Sequence, residues 1–93
     1  MGKRYLLYKI CRNGDRHLLT WLTASGSEEA HLSVKLLRKN HPQLQDLVLG
    51  EGEFFEIVEE SRLKSGEWEQ AMQALSLRKG GLSSVVAKEG NND

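Results

Sequence analysis

Residues 5–23 read Tyr5-Leu6-Leu7-Tyr8-Lys9-Ile10-Cys11-Arg12-Asn13-Gly14-Asp15-Arg16-His17-Leu18-Leu19-Thr20-Trp21-Leu22-Thr23. Asn13-Gly14 stands between two runs rich in aromatic and aliphatic residues. Asn and Gly both tolerate positive φ, which a two-residue type I′ hairpin needs at its two central positions. The expected register sets Arg12 opposite Asp15, Cys11 opposite Arg16, Ile10 opposite His17, Tyr8 opposite Leu19 and Leu6 opposite Trp21. Alternate pairs point to opposite faces. Leu6, Tyr8, Ile10, Leu19 and Trp21 then line the core. Tyr5, Leu7, Lys9, Cys11, Arg16, Leu18, Thr20 and Leu22 line a second face that is too apolar to be fully wet. A partner chain is the expected cover for it.

Downstream, Ser25 and Glu28 have capping-box spacing, and Ser27 offers an alternative N-cap, so a helix is expected over residues 27–40. Its core arc is drawn through Ala30, Val34, Leu37 and His41 and widened by Leu32 and Leu36, with His31, Lys35, Arg38 and Lys39 outside. Pro42 ends it, because the residue before a proline avoids the α region. Residues 47–49 (Leu-Val-Leu) read as a short strand. Residues 53–60 follow Gly50 and Gly52 and also read as strand, with Phe55 and Ile57 on one face and Phe54 and Val58 on the other. A strand apolar on both faces is expected either at the centre of a sheet or under a second subunit. Ser65 caps a last helix expected over residues 66–78, with Trp68, Ala71, Met72 and Leu75 on one arc and Gly80 as its stop. Fraying is expected over a tail at residues 81–93, which closes on Gly-Asn-Asn-Asp.

The fold class is therefore α+β. A single domain over residues 1–80 runs as hairpin, helix, one or two further strands and a C-terminal helix, with the helices packed on a mainly antiparallel sheet. The length of 93 residues leaves room for one core only.

Composition narrows the function. The 13 Lys and Arg balance the 13 Asp and Glu, which disfavours wholesale electrostatic binding to nucleic acid or to an anionic membrane. The charge is nevertheless uneven. Residues 1–47 hold eight basic side chains against four acidic ones, and seven glutamates fall between Glu51 and Glu69. Mutual neutralisation of the two halves is the favoured explanation. No apolar run is long enough to cross a bilayer and no signal peptide is evident, which points to the cytoplasm. With Cys11 alone there is no internal disulfide.

Chemistry is sparse. A catalytic thiol needs a base beside it, and the expected register puts Cys11 and His17 on opposite faces of the hairpin. His17, His31 and His41 lack the spacing of metal ligands, so neither a metal nor a cofactor is expected. Gly50-Glu51-Gly52 is acidic where a phosphate would sit. Leu77-Arg78-Lys79-Gly80-Gly81 superficially resembles the di-glycine tail of ubiquitin-like modifiers, but there the glycines follow a strand and here they follow a helix. A C-terminal cap explains them.

The expectation is a non-enzymatic protein-protein interaction domain, self-associating as a homodimer or other homo-oligomer, with no membrane partner. Tyr5, Leu7, Leu18 and Leu22 form the expected partner-covered surface, and Glu53, Glu56, Glu59 and Glu60 its charged surroundings. In size and charge style the chain resembles the inhibitors that bacteriophages and mobile elements direct at host machinery, including anti-CRISPR proteins. The alternative is a nucleic-acid-binding accessory protein using Lys9, Arg12 and Arg16 of the hairpin and Lys35, Arg38 and Lys39 of the helix, with Tyr5 or Trp21 stacking on bases.

Overall fold

The computed structural model describes residues 2–77. Five main elements run in the order β1 (Lys3–Ile10), β2 (Arg16–Ala24), α1 (Ser27–Asn40), β3 (Phe54–Glu59) and α2 (Glu67–Ser76). The three strands make an antiparallel sheet in the order β2-β1-β3, which puts β1 at the centre. The α+β class and the element order agree with the sequence. Arg78, Gly80 and the tail at 81–93 lie outside the described residues.

The turn is where it was expected, but its geometry differs. The Cys11 N–H donates to the Asp15 carbonyl at 2.8 Å, and the Gly14 N–H to the Cys11 carbonyl at 2.8 Å. Three residues thus form the loop, with Gly14 at φ 93 and no non-glycine residue at positive φ among those described. Only the glycine needs the left-handed region, as in hairpins that close on a bulge glycine. The Asp15 N–H meets Asn13 Oδ1 at 3.0 Å, a side-chain turn that holds Asn13 without positive φ.

A longer loop slips the register by one residue. Ile10 faces Arg16, Lys9 faces His17 and Tyr8 faces Leu18. A bulge between Leu7 and Tyr8 of β1 and the opposing Leu18–Thr20 segment absorbs the slip, so Leu6 still faces Trp21 and Tyr5 still faces Leu22. Leu19 is the extra residue, and it joins the cluster under α1 rather than the face of Leu6.

Both faces of the sheet are covered, giving a three-layer arrangement. On one side Tyr5, Leu7, Leu19 and Leu22 pack with Ala30 and Val34 of α1 and with Leu47. On the other, Leu6 and Tyr8 pack with Trp68 and Ala71 of α2, flanked by Ile10, Leu18 and Val58. Leu6 and Leu7, neighbours in sequence, are each fully buried in different layers. The second apolar face of the hairpin is thus covered by α1 of the same chain.

Three further expectations are corrected. Residues 47–49 form no strand, because a 3₁₀ turn at Gln45–Leu47 carries the chain past β1 and buries Leu47. β3 has the expected parity, with Phe55 and Ile57 toward α1, but it lies at the sheet edge and is half-buried by helices of its own chain. Leu32 and Leu36 do not widen the core arc of α1. At about 100° per residue they fall roughly 200° and 240° around from Ala30, facing away from the sheet, and each is 57% exposed.

Neither helix carries a side-chain cap bond at its start. The capping box expected of Ser25 and Glu28 does not form; the Ser25 hydroxyl donates instead to the Glu29 carboxylate. α2 begins from Gly66 at φ 83 rather than from Ser65. Glu67 reaches back to accept from the Lys64 N–H at 2.9 Å, holding that first turn.

Candidate functional site

The acidic residues singled out from the sequence are engaged within the chain. Lys3 Nζ lies 3.2 Å from Glu59 Oε1, and Arg16 Nη2 lies 2.7 Å from Glu56 Oε1. Arg4 holds Glu60 through two nitrogens, with Nε 2.7 Å from Oε1. Each pair joins a basic residue of the hairpin to a glutamate at or just after β3, because the antiparallel pairing of β1 with β3 brings the two halves together. Among the described residues, three hairpin cations are thus paired with glutamates across the sheet. Glu53 accepts from the Gly50 N–H at 2.6 Å. That bond holds its carboxyl below the usual range, and the Glu59 carboxyl is held down by the Ser61 hydroxyl and Lys3.

The expected apolar docking set is not on the surface. Tyr5, Leu7 and Leu22 are 4%, 0% and 8% exposed beneath α1, and Leu18 is half-buried on the α2 side. The hairpin register separates Leu18 from the other three.

The basic set is also divided. Lys9 Nζ donates to the Val48 carbonyl at 2.9 Å, pinning the loop after α1. The Arg38 guanidinium carbon sits 5.5 Å from the Phe55 ring centre on the α1 side. Arg16 is on the opposite side of the sheet, 3.9 Å over Tyr8. Arg12 packs beside Gly52, where an added Cβ would come within 3.2 Å of its Cγ. Lys35 and Lys39 remain exposed on α1. Of the two candidate stacking residues, Tyr5 is buried and Trp21 is edge-on to Trp68, with ring centres 5.9 Å apart at 79°. Trp68 in turn carries Arg4 at 4.4 Å.

The slipped register overturns the separation of Cys11 from His17. Cys11 lies opposite Asp15 and Lys9 opposite His17, so both belong to one side of the hairpin. The chemistry at the thiol comes from elsewhere. Partial burial raises the Cys11 pKa, and the Glu53 carboxylate raises it further. This favours the neutral thiol over the thiolate that nucleophilic attack requires. Around it lies an open depression of about 520 Å³ lined by Cys11, Arg12, Asn13, Asp15 and Glu53. Among the described residues, no group of three or more His, Cys, Asp or Glu is placed to hold a metal ion. No helix among them is long and apolar enough to cross a membrane.

What sequence reasoning assigned to the core, and the structure places outside, is the outer face of α1. Leu32 and Leu36 stand one turn apart at its crest, with exposed Glu28 and Glu29 in the first turn and exposed Lys35 and Lys39 toward the end. The other large exposed apolar residues, Trp21, Val48, Phe54 and Leu77, belong to four separate elements or loops. A wheel centred on Ala30 would have found the stripe from sequence. Comparison of the chain with protein-family models, with curated proteins and with solved structures returns no significant match.

Proposed function

We propose that this protein is a non-catalytic protein-protein recognition domain whose docking surface is the outer face of α1. The observation that carries the reading is the Leu32–Leu36 pair, two leucines at i and i+4 that are each 57% exposed on the outermost layer. Neighbouring exposed apolar residues mark recognition surfaces more than scattered single ones do. An apolar crest flanked by charges is the pattern by which a helix face meets a groove or a second helix. The engagement of the glutamates by hairpin cations, and the neutral state favoured at Cys11, support binding rather than turnover. A cytoplasmic setting fits a chain with a single cysteine.

Site-specific photo-crosslinking tests this. A photoreactive residue at position 36 is expected to give a protein adduct, and the adduct is lost when Leu32→Lys is added. The same group at Gln73, exposed on α2, serves as the control. Adducts to nucleic acid, or equal protein adducts from both positions, would overturn the reading.

A further inference from the structure

We infer that the occupant of the α1 outer face is a second copy of this chain, docked as an antiparallel helix pair about a two-fold axis. Self-pairing rests on α1 being the docking surface and adds the identity of the partner. The charge layout of the helix favours it. Glu28 and Glu29 lie in the first turn, Leu32 and Leu36 in the middle, and Lys35 and Lys39 in the last two turns.

Two such helices laid antiparallel, with Leu32 level with Leu36 of the second copy, bring Glu29 level with Lys39 of that copy and Glu28 one position away from it. The two-fold axis repeats each contact, as an isologous interface requires. In a parallel pair the like charges would instead meet. Within one helix these charges complement only the backbone dipole at each end, with no opposite side-chain charge at i+4. No Glu of α1 has a Lys or Arg at i+4, while Lys35 and Lys39 are themselves a like-charged i, i+4 pair, an arrangement that costs a few tenths of a kcal/mol. Among the described residues the ion pairs are Lys3–Glu59, Arg4–Glu60 and Arg16–Glu56, so these four side chains enter none of them. A second copy supplies what the isolated helix lacks.

The size of the contact sets its strength. A helix of 14 residues is about 21 Å long, and its crest alone covers less than the roughly 800 Å² per partner of a standard interface. The dimer is therefore weak and, because opposed charges hold it, salt-sensitive.

Sedimentation equilibrium on the full chain up to about 1 mM, which detects dissociation constants up to about the millimolar range, tests the proposal. Wild type is expected to dimerise, and Leu36→Lys to remain monomeric with an unchanged circular dichroism spectrum. Two charge variants give the sharper result. E28K/E29K and K35E/K39E each weaken self-association by about tenfold or more, since each sets like charges against like. Mixed in equal amounts they form a heterodimer of wild-type strength. Lost folding in one variant would prevent that recovery, so its appearance reports the pairing itself. A strictly monomeric wild type, or charge variants that lose association and fail to recover on mixing while both remain folded, would overturn self-pairing. If the crosslinker at position 36 still captures a different protein, the docking face stands and only the second copy is lost. If it captures none, both readings fall.

Discussion

Arg16 lies over Tyr8, its guanidinium carbon 3.9 Å from the ring centre. The same side chain reaches Glu56 Oε1 from Nη2 at 2.7 Å and from Nε at 2.9 Å. Arg16 on β2 thus crosses the central strand to grip β3. A half-exposed ion pair contributes at most about 1 kcal/mol, and a cation over an aromatic face about 0.5 to 2 kcal/mol. Arg16→Ala is expected to lower unfolding stability by about 1 to 2 kcal/mol in urea titrations. Glu56→Gln, which leaves the ring contact in place, costs less. Raising salt narrows the gap between Glu56→Gln and wild type but leaves most of the Arg16→Ala loss, because the apolar packing of the guanidinium on the Tyr8 ring is lost at any salt concentration.

Tyr8 gives the alkaline limb of stability. Burial raises its pKa above the ordinary 10.0, with the Arg16 charge opposing that shift. The native state therefore favours the neutral phenol. The resulting stability is fully present below the unfolded value near 10 and is lost as pH climbs through the higher native value. Thermal midpoints recorded from pH 8 to 11.5 are expected to fall in wild type and to fall less in Tyr8→Phe. Equal slopes would show that the Tyr8 hydroxyl is not the group responsible.

The acid limb has the opposite sign. Glu53, held by the Gly50 N–H, and Glu59, held by the Ser61 hydroxyl and Lys3, both titrate below the ordinary 4.5. Their contribution is complete above the unfolded value and disappears as pH falls through the lower native values. Glu53→Gln and Glu59→Gln should each reduce stability at pH 7 and flatten its decline between about pH 5 and 2.5. Carboxyl chemical shifts in an NMR titration assign the two groups directly.

Leu7 tests which chain covers the sheet. It is fully buried in the cluster that α1 closes, so Leu7→Ala is expected to cost about 2 to 5 kcal/mol through lost burial and a residual cavity. That decrement stays the same across a fortyfold range of protein concentration, because the covering atoms belong to the same chain. A decrement that grew with dilution would place a second subunit over Leu7.

Much of this architecture was legible because it is local. Pro42 and the acidic first turn bound α1, and the alternation of Phe55 and Ile57 with Phe54 and Val58 set the parity of β3. The layer each helix joins was not legible, since Leu6 and Leu7 look alike to periodicity and only the path of the chain sends one under α2 and the other under α1. An apolar second face of the hairpin therefore read as a surface awaiting a partner, and the candidate residues Tyr5, Leu7 and Leu22 followed from it. The individual cations that meet Glu56 and Glu60 were not legible for a related reason: they lie 40 and 56 positions away, at Arg16 and Arg4. Leu32 and Leu36 were within reach, because helical geometry alone sets them opposite Ala30.

The hairpin loop supplies the last test, because the two turn geometries make different demands on adjacent residues. A two-residue type I′ turn needs positive φ at both Asn13 and Gly14, whereas the three-residue loop needs it at Gly14 alone. Gly14→Ala forces an L side chain to φ 93 with no atom within 4 Å to clash, so its cost is conformational. About 1 to 2 kcal/mol is expected, and a D-alanine at that position should recover most of it. Asn13→Ala removes two exposed side-chain contacts, the bond accepted from the Asp15 N–H at 3.0 Å and the one Nδ2 donates to Asp15 Oδ2 at 3.1 Å, and should cost about 0.5 to 1 kcal/mol. Asn13→Gly discriminates best. It stabilises a type I′ turn by relieving positive φ, but it weakens the observed loop by adding backbone freedom and removing the same two bonds. A rise in the unfolding midpoint of Asn13→Gly would restore the two-residue turn and, with it, the register that parts Cys11 from His17.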